Sequence, residues 1–210
     1  MASKREVEAL RPDFTVYENA TLSGFRERIA SARIWWYTGF EDNGVPVFVH
    51  EEPQAGLHIV SSGQVTSIVA NAVDGGKGKL EIVVLNTCST LELGKALSEI
   101  ARVPYVVCWD GLVEDRAAYI FGIALAAAVK DGKKPIEAFE RAQLKVESHT
   151  NAKGQRFKLQ KVDDAVKGSE VHAVAAIVPV GLPKLLEPPK VVAPKVVAPK
   201  VVAPKVVAPK

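Results

Sequence analysis

Cysteine occurs at only two positions, Cys88 and Cys108, in 210 residues. Two thiols cannot build a disulfide scaffold, and the count fits a reducing compartment, so the expected location is the cytoplasm. Long hydrophobic runs are also missing. The longest uncharged apolar stretch, Ala117 to Val129, is shorter than the roughly 20 residues a membrane-crossing helix needs, and it reads as a buried helix. The opening MASKREVEALRPD lacks the apolar core of a signal peptide. A strong charge of one sign is absent too. The formal net charge is +3, but five of the 27 basic residues lie in residues 190–210, which hold no acid. Residues 1–189 therefore carry 22 Lys+Arg against 24 Asp+Glu, a balance that offers no nucleic-acid surface. No metal-ligand pattern stands out and no cofactor is expected. What remains is one domain with appendages, long enough for a substantial core.

The most informative stretch that is present is LEIVVLNTCST, Leu80 to Thr90. Ile82 to Leu85 form a continuous apolar run with no charge after Glu81, the pattern of a strand buried on both faces. The run stops at Asn86, Thr87 and Cys88, and a helical pattern opens at Leu91. Open α/β sheets place their chemistry at the carboxyl ends of such strands. A helix amino terminus also favours a thiolate over a thiol. A lone cysteine is otherwise a small buried hydrophobe, so position alone favours the functional reading of Cys88.

In chain order, residues 1–13 read as a disordered polar lead. Phe14 to Tyr17 reads as a short strand. Leu22, Phe25 and Ile29 share a helix face, and Arg33 to Thr38 is rich in aromatic and branched residues like a strand. A turn over 39–44 leads to a strand at Val45 to Val49, with Pro46 favouring an edge or end position. Ser61 and Gln64 have capping-box spacing, which predicts a helix over 62–73. After the DGGKGK loop and the central strand, helices are expected over 91–101, 114–130 and 135–146, with a strand over 104–108. This alternation predicts a mainly parallel sheet with helices on both faces. Arg156 to Gln160 and Val171 to Val178 look like short strands, and GLPKLL closes a domain spanning 14–186.

Residues 187–210 read as a disordered tail, with VVAPK repeated four times from Val191. Proline at every fifth position forbids a continuous helix or central strand and favours extended polyproline II. The tail is either a flexible end or a cationic tether that contacts acidic surfaces weakly and in a salt-sensitive way.

Several blocks resemble one family. IVVLNTCST is similar to the strand-plus-nucleophile block of the CHAT domain, a caspase-like peptidase domain commonly carrying VVLNACET there. VPYVVCWDGLVEDRAAYIFGIALAAAVKDGKKPIEAFERA resembles the block that follows, and RIWWYTGFED resembles the one written HFSGHGD. The resemblance covers roughly residues 20–147. It implies a caspase-like α/β sandwich, shorter at its front end than a full family domain. Cys88 matches the catalytic nucleophile. Asp115 matches the family's aspartate before the long helix, as a binding residue or as a charge balancing the helix dipole.

The departure lies at the general base. A thiol nucleophile needs a histidine to take and return its proton, about fifty residues upstream in caspase-like chains. That interval lands on Phe40, which can neither accept nor donate a proton. His50, His58, His149 and His172 lack the interval, His50 being the nearest replacement. The expected function is a catalytically impaired pseudo-peptidase that binds a protein or peptide partner or acts in regulation. The alternatives are a cysteine endopeptidase with a non-standard base, or a redox switch in which Cys88 and Cys108 pair. Neither nucleic acid nor membrane is an expected partner of the folded part.

Overall fold

Strands and helices change over where the apolar period changes. The computed structural model describes residues 4–75, 79–151, 153–162 and 177–189. Helix α1 (Lys4–Leu10) is followed by α2 (Leu22–Ile29) and strand β1 (Ile34–Tyr37). Two small hairpins come next, β2 (Glu41–Asp42) with β3 (Val45–Pro46), and β4 (Phe48–Val49) with β5 (Leu57–His58). Then come α3 (Ser62–Asp74), β6 (Ile82–Leu85), α4 (Leu91–Glu99), β7 (Tyr105–Asp110), α5 (Asp115–Lys130) and α6 (Pro135–Glu147). Strands β8 (Arg156–Lys158) and β9 (Ile177–Pro179) pair in parallel, and β10 (Leu182–Leu186) is the last element described.

The central sheet has the order β1-β6-β7-β10. Its first three strands are parallel, and β10 returns antiparallel beside β7. Because strand side chains alternate, the sheet divides two cores. Ile82, Val84, Val107 and Trp109 pack with Phe121, Leu125 and Phe139 of α5 and α6. Val83, Leu85, Val106 and Cys108 pack on the other face with residues of α2, α3 and α4, among them Phe25, Val69 and Leu97. The fold is mixed α/β, with a mainly parallel sheet between helices, as the alternation predicts. Among the described residues, no helix is long and apolar enough to cross a membrane.

Helix boundaries follow local chemistry. Ser61 and Gln64 form the expected capping box, each side chain taking the other's backbone N–H at the start of α3. The Glu114 carboxylate accepts the Ala117 N–H at 2.7 Å and starts α5. Pro135 occupies the first turn of α6, where a missing N–H costs nothing.

Three expectations need correction. Residues 4–10 of the supposed disordered lead form α1, which packs on α5 and buries Glu6 and Leu10. Its anchor is polar, a set of hydrogen bonds to Glu6 that no apolar period could reveal. Residues 14–17 form no strand, and the Phe14 ring instead lies 5.8 Å from that of Trp36. The strand expected over 45–49 is divided at Val47, whose N–H turns away to the Phe40 carbonyl and the Tyr37 hydroxyl. The expectations for residues 76–78, 171–176 and the VVAPK tail from 190 onward lie outside the described residues.

Candidate functional site

The carboxyl end of β6 runs into a tightly bonded loop. Asn86 extends the ladder with β1, donating its backbone N–H to the Tyr37 carbonyl at 2.8 Å. Thr87 donates its hydroxyl to the Gly39 carbonyl at 3.0 Å. Ser89 takes the left-handed conformation, with φ of 51°, and its N–H reaches the Gly111 carbonyl at 2.7 Å. The Thr90 hydroxyl accepts the Trp109 N–H at 3.0 Å, so it ties the loop to β7 rather than capping α4. A loop held at every residue fixes the direction of the Cys88 side chain.

Cys88 is half-buried, and its Sγ accepts the Val113 N–H at 3.4 Å and lies 3.8 Å from the Val113 carbonyl. Both partners belong to the backbone just before α5. Asp115 is exposed in the first turn of α5 and does not bond to the sulfur. In that first turn its carboxylate stands at the positive end of the helix dipole.

The register of β1 on β6 decides where a base would stand. Tyr37 lies opposite Leu85, and the Thr87–Gly39 bond carries the same offset of 48 residues beyond the strands. Phe40 and Cys88 carry the same offset, three residues past the last paired positions, Tyr37 and Leu85. The Phe40 side chain is 63% exposed. Its carbonyl accepts a hydrogen bond from the Tyr37 hydroxyl, which also accepts the Val47 N–H at 3.1 Å. Burial pushes the Tyr37 phenol up to about 12, so it is no base near neutral pH.

The histidines lie elsewhere. His50 is exposed and faces half-buried His58 across the β4–β5 hairpin, ring centroids 5.3 Å apart. His149 turns Nδ1 to the Lys145 carbonyl at 2.7 Å. Among the described residues, no histidine bonds to Cys88, and His172 lies outside them. Cys108 is fully buried on the α4 face of the sheet, close enough to Gly94 that an added Cβ there would meet its sulfur at 2.7 Å. Burial first, and then the charge of Asp110, push its thiol up to about 12. A thiol held in that form is a poor resolving partner for an oxidised Cys88.

Sequence reasoning missed the polar cluster beneath the loop. Asn86 is buried and donates its side-chain amide to Glu6 Oε1 at 2.7 Å and to the Ala118 carbonyl at 3.0 Å. Its Oδ1 accepts the Trp109 indole N–H at 2.9 Å. Glu6, 1% exposed, also accepts from the Trp36 indole at 3.2 Å and bonds the Thr38 hydroxyl at 3.0 Å. Desolvation pushes its carboxyl up to about 7 against these hydrogen bonds, which act to lower it. The cluster joins α1, β1, β6, β7 and α5 two residues from Cys88. Only Asn86, an amide at the end of an apolar strand, gave a sequence signal for it.

Compared with protein-family models and with curated proteins, the chain gave no match to either.

Proposed function

We propose that this chain is a CHAT-like, caspase-fold pseudo-peptidase, which keeps its nucleophile position at Cys88 and has lost the proton-transfer partner. It acts by binding a protein or peptide segment rather than by cleaving one. What supports this reading is the offset of 48 residues between β1 and β6, which, continued past the ends of both strands, pairs the position of Phe40 with that of Cys88. Acyl transfer by a thiol needs a group there that takes the proton and returns it to the leaving amine, and phenylalanine can do neither. A half-buried sulfur held by a backbone N–H, on a loop fixed at every residue, suits recognition of an extended chain.

The test restores the missing group. The wild-type chain should show no turnover of peptide substrates. Phe40→His replaces an exposed ring, so it should fold normally and gain Cys88-dependent turnover, since general acid–base help is worth roughly 10²–10⁴ in rate. Turnover by the wild type that Cys88→Ala abolishes would overturn the reading. A Phe40→His protein whose turnover and Cys88 alkylation rate both match the wild type would overturn the assignment of position 40.

A further inference from the structure

The β4–β5 hairpin carries an apolar face that neither core uses. Phe48 lies opposite His58 and Val49 opposite Leu57. Phe48 faces inward, stacked on Phe25 with ring centroids 5.2 Å apart, so alternation turns Val49 and Leu57 outward. Ile59 follows β5 two residues past Leu57, and Val47 precedes Phe48 at the break between β3 and β4. Leu57 and Ile59 are 62% and 63% exposed, while Val47 and Val49 are half-buried. Exposed Phe40 adjoins them through its carbonyl, which accepts the Val47 N–H. Clustered apolar exposure of this kind marks a contact surface more often than scattered single residues do.

The surroundings of this face are acidic. Between Arg33 and Lys77 the sequence has no lysine or arginine, while Glu41 and Asp42 form β2 and Glu51 and Glu52 lie in the connection between β4 and β5. Among the described residues none of these four is in an ion pair. Each VVAPK repeat offers the complement in composition, with three small apolar side chains, one lysine and one proline. Residues 190–210 are 21 in number, and at ~3.1 Å per residue for an extended chain that length spans at most about 65 Å. A domain of this size is about 40 Å across, so reach is no obstacle.

We propose that the VVAPK repeats dock on this hairpin face of their own chain. Valine and alanine cover Leu57, Ile59, Val49 and Phe40, and the lysines pair with Glu41, Asp42, Glu51 and Glu52. The inference rests on the hairpins and the tail and stands whether or not Cys88 belongs to a former peptidase site.

A zero-length carboxyl–amine cross-linker applied to the full chain, followed by peptide mapping, tests it. At low salt, cross-links from Lys195, Lys200, Lys205 and Lys210 should favour Glu41, Asp42, Glu51 and Glu52 several-fold over the exposed Glu8, Glu18, Glu99 and Glu140. The preference should fall at about 0.5 M salt. It should also fall in the Leu57→Gln, Ile59→Gln double variant, whose unfolding temperature should stay at the wild-type value because both side chains are exposed. Cross-links spread evenly over the surface acids would overturn the proposal, and so would a preference that survives the double substitution. A mixture of isotope-labelled and unlabelled chains should give no mixed pairs; mixed pairs would overturn the intramolecular assignment and give the face to the tail of a second copy.

Discussion

Glu6 shows what one buried carboxyl does to a domain. Its oxygens take hydrogen bonds from Asn86, Trp36 and Thr38, yet desolvation prevails and the carboxyl is held up to about 7 from a usual value of 4.5. The folded protein therefore binds this proton more tightly than the unfolded chain does. The stabilisation is fully present below the unfolded value and is lost as pH rises through the folded one. Stability should fall by roughly 3 kcal/mol between about pH 4.5 and the neutral range, at 1.36 kcal/mol per unit. Glu6→Gln keeps the shape and can still bond Asn86 and Thr38, but it cannot ionise. Denaturant unfolding at a series of pH values should show the wild type losing this increment and the variant lacking it. Parallel pH profiles in the two proteins would remove Glu6 from the account.

At the scale of elements, the β2–β3 hairpin shows how a turn can position a loop distant in sequence. Asn43 and Gly44 both have positive φ, 50° and 77°, the backbone of a two-residue hairpin turn. The turn packs on the Cys88 loop so closely that a Cβ at Gly44 would overlap the Ser89 carbonyl. Gly44→Ala should cost about 1–3 kcal/mol in thermal unfolding, through backbone strain and the clash together. Asparagine separates the two causes because it tolerates positive φ. Gly44→Asn should be nearly as damaging as alanine, whereas Gly132→Asn, at φ of 73° with open space around it, should be tolerated. A mild Gly44→Asn variant would mean that the hairpin does not press on Ser89. Helix α1 is the contrasting case, because seven residues cannot hold a helix alone and it owes its form to docking.

The whole molecule is a sheet separating two cores, and its stability depends on keeping charge out of both. Val84 is almost fully buried among Val107, Ile82 and the residues of α5. Val84→Asp would bury a carboxylate without a partner, at several kcal/mol against a typical total of 5–15 kcal/mol. The variant should show no cooperative unfolding transition by circular dichroism. A soluble Val84→Asp protein with a wild-type transition would contradict a sheet covered on both faces. Polar substitution of exposed Leu57, by contrast, should leave the transition in place.

The sequence by itself determined the local elements and their alternation. Continuous apolar runs at 82–85 and 104–108, the Ser61–Gln64 spacing, Pro135 and the nearly all-apolar run after Glu114 each act within a few residues, so their outcome is written in the chain. It also pointed to the loop after the buried strand, where Cys88 lies between β6 and α4. Tertiary structure alone decided the rest. Glu6 and Asn86 stand 80 residues apart, and neither carries a local sign of the other. The antiparallel return of β10 depends on which edge of β7 stays open. The break at Val47 depends on a tyrosine hydroxyl ten residues upstream. Each of these is a long-range hydrogen-bond choice, and the energy that decides it exists only once burial has removed the water that would otherwise satisfy the same groups.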